Sequence, residues 1–136
     1  MSDLVIDATV AIKWVIEEDG TKEALALRRQ ALAAPDLLVA ECANILWKKA
    51  RRNELSEPEA AFAAGLLARA DIELVAMRPY LEAATTIAVT LDHPANDCFY
   101  IALAEAEGLR LVTADRTLVR KASGRYPGRV LGLTDG

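Results

Sequence analysis

The stretch LVTADRTL, residues 111–118, decides the fold because it joins a strand to a helix through a carboxylate. Its first residues complete a short, mostly apolar run, residues 109–113, which is typical of a buried parallel strand. Asp115 follows at once, and Arg116 opens a segment with helical spacing. A charged residue so close to the end of a buried strand indicates a functional role for that residue at that end of the sheet.

The same alternation of short apolar runs and helical segments extends along the whole chain. The predicted strands are residues 4–6, 37–39, 72–77, 109–113 and 129–133. The predicted helices are residues 9–17, 21–33, a segment that follows residue 39 and ends in basic residues, 56–70, 79–91, 97–107 and a short helix after Asp115. This alternation predicts an α/β fold with a mainly parallel central sheet flanked by helices.

Two of the predicted helix ends have specific local patterns. Ser56 and Glu59 have the spacing of a capping box, with Pro58 in the first turn, so a helix begins there. Gly108 follows the segment 97–107 and is the residue expected at a helix C-terminus.

Length and composition limit the possible classes of protein. With 136 residues the chain fits one domain, residues 1–136. Its longest stretches without a charged residue have nine residues, far fewer than the roughly 18 to 20 that cross a membrane. The N-terminus lacks the basic segment of a signal peptide, so we expect a cytoplasmic protein that does not bind membranes. Cys42 and Cys98 lack metal-ligand spacing and are expected to be reduced, packed thiols.

Four carboxylates fall where predicted strands end or helices begin: Asp7, Glu41, Asp97 and Asp115. Ligands of parallel α/β sheets bind at the carboxyl ends of the strands, so the four acids are expected to face one crevice. Each acid alone could be a helix cap. Four acids together repel one another unless a cation lies between them, and Mg²⁺ or Mn²⁺ prefers such oxygen ligands. Cations of this kind can activate water for phosphodiester cleavage.

Four blocks of sequence carry a resemblance to a known family. They are DATVAIKW, PDLLVAECANIL, PANDCFYIALAEAEGLRLVTAD and RVLGL, and in this order and spacing the chain resembles the PIN-domain ribonucleases, specifically the VapC-type toxins of toxin–antitoxin pairs. The likeness extends from Asp7 to Leu133. Asn96 departs from the commonest pattern, which often has an aromatic residue there, and no further acid follows Asp115 in its helix. We therefore expect at most four acidic ligands.

The resemblance implies a site and an activity. It implies that Asp7, Glu41, Asp97 and Asp115 are the metal-binding and catalytic acids, with the hydroxyls of Thr113 and Thr9 close to them. It also implies endonucleolytic cleavage of RNA that depends on Mg²⁺ or Mn²⁺, a cognate antitoxin protein that blocks the site, and a homodimer. A catalytically inactive PIN-like module that binds RNA or protein is the alternative. A metal-dependent phosphatase or DNA nuclease would differ mainly in substrate.

Several other residues have two interpretations. Arg116 is the cation nearest to the last acid and is expected to contact a scissile phosphate, whereas Arg120, Lys121, Arg125 and Arg129 form either a solvated basic face or an RNA contact. Thr9 could orient Asp7 or cap the first helix, and Lys13 is expected at an exposed helical position. Trp14 and Trp47 are expected in the core, with contact to a partner as the alternative. His93 has no second His or Cys ligand nearby and is expected to be a turn residue, and Asn44 is placed to hydrogen-bond Glu41.

Overall fold

A five-stranded parallel sheet forms the centre of the molecule in the computed structural model, which describes residues 1–134. The strands are β1 (Leu4–Ile6), β2 (Leu32–Pro35), β3 (Glu73–Val75), β4 (Arg110–Thr113) and β5 (Val130–Gly132). Their spatial order is β3-β2-β1-β4-β5. The predicted α/β fold with a parallel sheet is therefore confirmed.

Within residues 1–134, seven α-helices connect these strands. They are α1 (Ala8–Ala11), α2 (Thr21–Leu27), α3 (Leu37–Arg51), α4 (Glu57–Ala68), α5 (Leu81–Leu91), α6 (Ala95–Glu107) and α7 (Arg116–Ala122). Two short 3₁₀ turns, Ile12–Trp14 and Arg78–Tyr80, extend α1 and precede α5. No helix in residues 1–134 is both long and apolar enough to cross a membrane.

The central strand β1 fixes the geometry of the site because it pairs with β2 on one side and with β4 on the other. Ile6 stands opposite Val112 in the register of β1 and β4, so both strands end at the same level. Val5 and Ile6 are completely buried, and helix α6 covers this part of the sheet with Tyr100 and Ile101 in the core. The residues that follow β1 and β4 are thus held next to each other by a rigid core.

The region between α2 and α3 differs from the prediction. Helix α2 ends at Leu27 and not at residue 33, and the second strand is Leu32–Pro35 instead of residues 37–39. Alanine is a strong helix former, so the sequence LAAP looked like the end of a helix, but these residues are all buried between β1 and β3. Residues 37–39 are the first turn of α3.

Two further helix boundaries also differ. Regular α-helix ends at Ala11, well short of residue 17. Helix α6 begins at Ala95, two residues before the predicted start at Asp97, with Pro94 at its N-cap. Both errors lie at helix ends, where local sequence patterns define the boundary least well.

The specific helix signals and the cysteines behave as predicted. The capping box of α4 is complete, with Ser56 accepting from the Glu59 backbone and the Glu59 carboxylate accepting from the Ser56 backbone. Gly108 ends α6 in the left-handed conformation, with φ of 66°. Cys42 and Cys98 are buried free thiols, and burial raises their pKa values to about 12 and about 11.

Candidate metal centre

Asp7 is the most deeply buried acid of the site, with 6% of its surface exposed. It follows β1 and caps α1, where its Oδ1 accepts from the Thr9 backbone N–H at 3.1 Å and from Thr9 Oγ1 at 2.5 Å. Its Oδ2 accepts from Thr113 Oγ1, also at 2.5 Å. The two threonine hydroxyls therefore fix both oxygens of the carboxylate.

The same hydroxyls join the ends of β1 and β4. Thr113 Oγ1 accepts from the Asp115 backbone N–H at 3.0 Å, and Thr9 Oγ1 accepts from the Ala114 backbone N–H at 2.9 Å. Because each hydroxyl donates to Asp7 and accepts from the segment after β4, the position of that segment depends on Asp7. Thr9 thus orients Asp7 and does more than begin a helix.

Glu41 lies in α3, just past its first turn, and not directly after a strand as predicted. Its Oε1 accepts from the hydroxyl of Tyr100 at 2.5 Å, and its Oε2 accepts from Asn96 Nδ2 at 2.8 Å. Burial, followed by the bond to Glu41, raises the pKa of the Tyr100 hydroxyl, so that this group remains a proton donor. Both donors belong to α6, which holds Glu41 against the site.

Asp97 lies in the first turn of α6 but does not cap it. Its Oδ2 is 2.7 Å from Nε2 of His93, and the side chain of His93 is only 7% exposed. The sequence pattern predicted only a turn residue at His93. The i, i+4 spacing of His93 and Asp97 is the pattern from which this contact could have been found.

Asp115 caps α7, as a simple capping role would require. Its Oδ1 accepts from the backbone N–H groups of Thr117 and Leu118 at 3.0 and 3.2 Å. Oxygen atoms of Asp115 and Asp97 and a ring nitrogen of His93 lie within 4.8 Å of one another. Asp97 therefore joins Asp115 to the rest of the acidic set.

An open cavity of about 360 Å³ lies at the carboxyl edge of the sheet. Its polar lining consists of Asp7, Thr9, Glu41, Asn44, Asn96 and Asp97. Thr113 lies beneath this lining and is completely buried, while Asp115 stands beside it. The four predicted acids thus meet around one crevice, three in the cavity and one at its margin.

The electrostatics of the crevice are dominated by negative charge. Within residues 1–134, no Lys or Arg forms a salt bridge with any of the four acids. Burial raises the pKa of Asp7 to about 6. The hydroxyls of Thr113 and Thr9 lower this pKa, while the charges of Asp97 and Glu41 raise it further. Hydroxyl, amide and backbone N–H groups and the His93 ring thus position the acids, without charge compensation by a Lys or Arg of residues 1–134.

The remaining candidate residues divide between the site and other parts of the structure. Arg116 is exposed at the first position of α7, next to Asp115. Lys13 pairs with Glu18 at 3.0 Å, in place of the exposed position expected for it. Asn44 lines the cavity, but Asn96 makes the predicted amide bond to Glu41.

The basic residues after the last acid are not all free to meet RNA. Lys121 donates to the carbonyl of Asp92 at 2.7 Å. Arg129 pairs with Glu105 and donates to the carbonyl of Leu109. Arg120 and Arg125 are exposed.

The two tryptophans differ. Trp14 packs against the core and donates its ring N–H to the Ala24 carbonyl at 2.8 Å. Trp47 is 53% exposed, so its predicted core position is wrong. It lies on the outer side of α3, where the guanidinium of Arg51 stacks over its ring at 5.4 Å.

Comparison with known proteins agrees with this fold. The PIN domain family model matches residues 4–124. Over 123 residues the chain is 34% identical to a protein named Ribonuclease VapC3 from Pyrobaculum aerophilum, and the match covers 87% of this chain and 93% of that protein.

Solved structures share the fold at lower sequence identity. PAE2754 from Pyrobaculum aerophilum superposes with a TM-score of 0.75 at 23% identity, covering 97% of this chain and 84% of the other. A toxin–antitoxin complex from Klebsiella pneumoniae gives a TM-score of 0.69 at 13% identity, covering 97% and 98%. VapC20 of Mycobacterium tuberculosis, described as a sarcin-ricin loop cleaving toxin, gives 0.67 at 14% identity, covering 93% and 99%.

Proposed function

The chain belongs to the PIN domain family, and from this membership and its acidic crevice we propose that it is a divalent-metal-dependent endoribonuclease of the VapC toxin type. The observation that carries the proposal is the set of four carboxylates around one crevice without a Lys or Arg partner in residues 1–134. A cation that enters the crevice relieves the repulsion among these acids. The proposal treats residues 1–136 as one nuclease domain and places its activity in the cytoplasm.

The donor set suits a hard cation. Carboxylate oxygens are the ligands that Mg²⁺ and Mn²⁺ prefer, and the residues that would hold such an ion are Asp7, Glu41, Asp97 and Asp115. Oδ1 of Asp97 and Oδ2 of Asp115 accept no hydrogen bond from residues 1–134. A bound divalent cation supplies Lewis-acid polarisation of a phosphate and lowers the pKa of water.

The protein's own groups provide the rest of the mechanism. Asp7 is kept in one orientation by Thr9 and Thr113, so its oxygens need no reorganisation when substrate binds. Arg116 is exposed beside Asp115 and would contact the phosphate next to the scissile bond. We assign Asp7, Glu41, Asp97, Asp115, Thr113 and Arg116 to the catalytic set. No nucleophilic side chain is required, because the oxygen of water would bond to the phosphorus while the bond from phosphorus to one ribose oxygen breaks, and the departing ribose oxygen would take up a proton from solvent.

We further propose that a cognate antitoxin protein blocks this site and that the chain forms a homodimer. Support comes from the likeness to Ribonuclease VapC3 and from the fold shared with a toxin–antitoxin complex. Large apolar side chains are also exposed on the helices, among them Trp47, Phe62 and Val89. Light scattering of the purified chain tests the dimer: a mass near 29 kDa, twice the chain's 14.7 kDa, is expected.

The test of the nuclease is cleavage of a mixed pool of single-stranded and structured RNA by the purified chain with Mg²⁺ or Mn²⁺. We expect internal cleavage that EDTA and Asp7→Asn abolish. Asp71→Asn is the matched control, because Asp71 is exposed and precedes β3 at the opposite edge of the sheet.

The possible outcomes separate the alternatives. Cleavage of DNA but not RNA would favour a DNA nuclease. RNA binding without cleavage would favour the inactive PIN-like module. Cleavage that persists in Asp7→Asn would contradict the proposed role of the acids.

A further inference from the structure

We propose that His93 is a positioning residue for the metal site. The His93 ring holds Asp97 in the orientation that binds the cation. This inference rests on the function proposed above and assigns a role to the chain's only histidine. The residue lies outside the four acids and their threonines, in the turn between α5 and α6. It acts on the cation through Asp97 and not by direct contact.

The contact between His93 and Asp97 is short and protected. Nε2 of His93 lies 2.7 Å from Oδ2 of Asp97, which is a hydrogen-bonding distance. The imidazole is 7% exposed, whereas the Asp97 side chain is 29% exposed towards the crevice. The bond is thus made on the protected side of the carboxylate.

The surroundings of the ring determine which nitrogen carries the proton. A contact of 2.7 Å between Nε2 and a carboxylate oxygen requires a hydrogen between them, so Nε2 is the donor. Nδ1 is buried and has no hydrogen-bond partner among residues 1–134. His93 therefore donates to Asp97 from Nε2.

The turn that carries His93 is itself fixed from three directions. Asp92 has the left-handed conformation, with φ of 52°, and ends α5. The backbone N–H of His93 donates to the Ala88 carbonyl at 3.1 Å. Lys121 of α7 donates to the Asp92 carbonyl at 2.7 Å. Because α7 begins at Asp115, this lysine ties the turn to the helix that carries the fourth acid.

The contact with His93 makes the two carboxylate oxygens of Asp97 different. With Oδ2 engaged by His93, Oδ1 accepts no bond from residues 1–134 and remains for the cation. Asp97 is the acid common to the cavity and to the cluster with Asp115, so its orientation governs both groups of ligands. Hydrogen bonds that orient a ligating carboxylate typically change metal affinity by about 10- to 100-fold when removed.

Two amide variants test whether the N–H donor must lie at the distance of Nε2 from the backbone. His93→Gln places an N–H donor at about the distance of Nε2, whereas His93→Asn carries the same amide one methylene shorter and does not reach Asp97. His93→Ala removes the donor altogether. The readout is the affinity of the full-length chain for Mn²⁺ without RNA, measured by calorimetry, with the midpoint of thermal unfolding as a check that each variant is folded.

We expect Mn²⁺ affinity to fall about tenfold in His93→Asn and His93→Ala and to remain within about threefold of the wild type in His93→Gln. Equal affinities in all four proteins would overturn the inference alone. Pulsed EPR adds a second criterion: a nitrogen coordinated directly to Mn²⁺ in the wild type would make His93 a ligand and overturn the positioning role. A wild type that binds no Mn²⁺ would contradict the proposed function as well.

Discussion

Asp7 and Asp115 follow neighbouring parallel strands and each caps the next helix, yet their environments are opposite. Asp7 is buried and is held by hydroxyl groups from two parts of the chain that are 104 residues apart, Thr9 and Thr113. Asp115 is half-buried and is held by the backbone N–H groups of its own helix. One carboxylate depends on tertiary structure and the other on local structure.

The two environments have different consequences for the stability of the fold. An acid at a helix N-terminus is stabilised by the N–H groups that it caps, so Asp115 serves the fold as well as the site. For Asp7 the loss of water outweighs its hydroxyl partners, and its pKa rises to about 6. Burial thus disfavours the charged form of Asp7, and a bound cation would favour it.

The largest expected effect is on catalysis. Asp7→Asn should lower the rate of RNA cleavage by about a thousandfold, equivalent to about 4 kcal/mol of transition-state stabilisation. Asp115→Asn should lower it by about a hundredfold, because Asp115 stands at the margin of the cavity. Initial rates with saturating Mg²⁺ measure both. A larger loss of cleavage rate in Asp115→Asn than in Asp7→Asn would contradict the greater catalytic importance of the buried acid.

The second expected effect is on stability and its dependence on pH. The pKa of Asp7 rises from 3.8 to about 6 on folding, so the folded state keeps the proton to higher pH than the unfolded state. The resulting stabilisation is complete below pH 3.8 and is lost as the pH rises through about 6. The difference of about 2 pKa units corresponds to about 3 kcal/mol.

Urea unfolding in metal-free buffer measures this effect. The free energy of unfolding of the wild type should fall by about 2 kcal/mol relative to Asp7→Asn between pH 4 and pH 7, because part of the roughly 3 kcal/mol is already lost at pH 4. Asp115→Asn should follow the wild type, since Asn is an equally good N-cap. Parallel curves for the wild type and Asp7→Asn would show that Asp7 is not destabilising. Addition of Mg²⁺ at pH 7 should stabilise the wild type selectively.

A smaller effect is expected at the hydroxyl that joins the two acids. Thr113→Val removes the donor to Asp7 and the acceptor of the Asp115 backbone N–H without a large change in volume. We expect a loss of about 2 kcal/mol in stability and about tenfold in Mn²⁺ affinity. Thr86→Val, at an exposed position of α5, is the matched control and should change stability by less than about 0.5 kcal/mol. Similar results for the two variants would count against the Thr113 network.

The smallest effect is expected at the exposed cation beside Asp115. Arg116→Ala should lower kcat/KM for RNA by about fivefold, or about 1 kcal/mol, and reduce the salt dependence of RNA binding by about one phosphate contact. Its Mn²⁺ affinity should not change. Arg110→Ala is the control, since Arg110 is exposed at the other end of β4. An equal loss of kcat/KM in Arg110→Ala would mean that only the overall charge of the protein affects its action on RNA.

The sequence predicted those parts of the fold and site that depend on local patterns. The capping box at Ser56, the helix end at Gly108 and the strands β1 and β4 are set by a few adjacent residues, and they lie where expected. Asp7 and Asp115 lie at the same edge of the sheet because the carboxyl ends of parallel strands share that edge, as the alternating pattern predicted. Glu41 and Asp97 reach the crevice from α3 and from the first turn of α6.

Other features depend on contacts between distant segments and were not predictable. Strand β2 is an alanine-rich run that becomes a strand only because β1 and β3 enclose it. The bond from Tyr100 to Glu41 spans 59 residues, and nothing in the sequence around either residue indicates it. His93 was expected to be only a turn residue, because no second nitrogen or sulfur ligand lies near it in the sequence. Its partner is instead an acid four positions along the chain.

The pairing of β1 with β4 has a consequence for the synthesis of the protein. The bond between Thr113 and Asp7 joins residues 106 positions apart, and β4 is made after β1, β2 and β3. Domains form during translation only as their segments emerge. A growing chain therefore carries Asp7 and Glu41 on an incomplete sheet until residues 110–115 have left the ribosome. The crevice that brings the four acids together can form only after that point in translation.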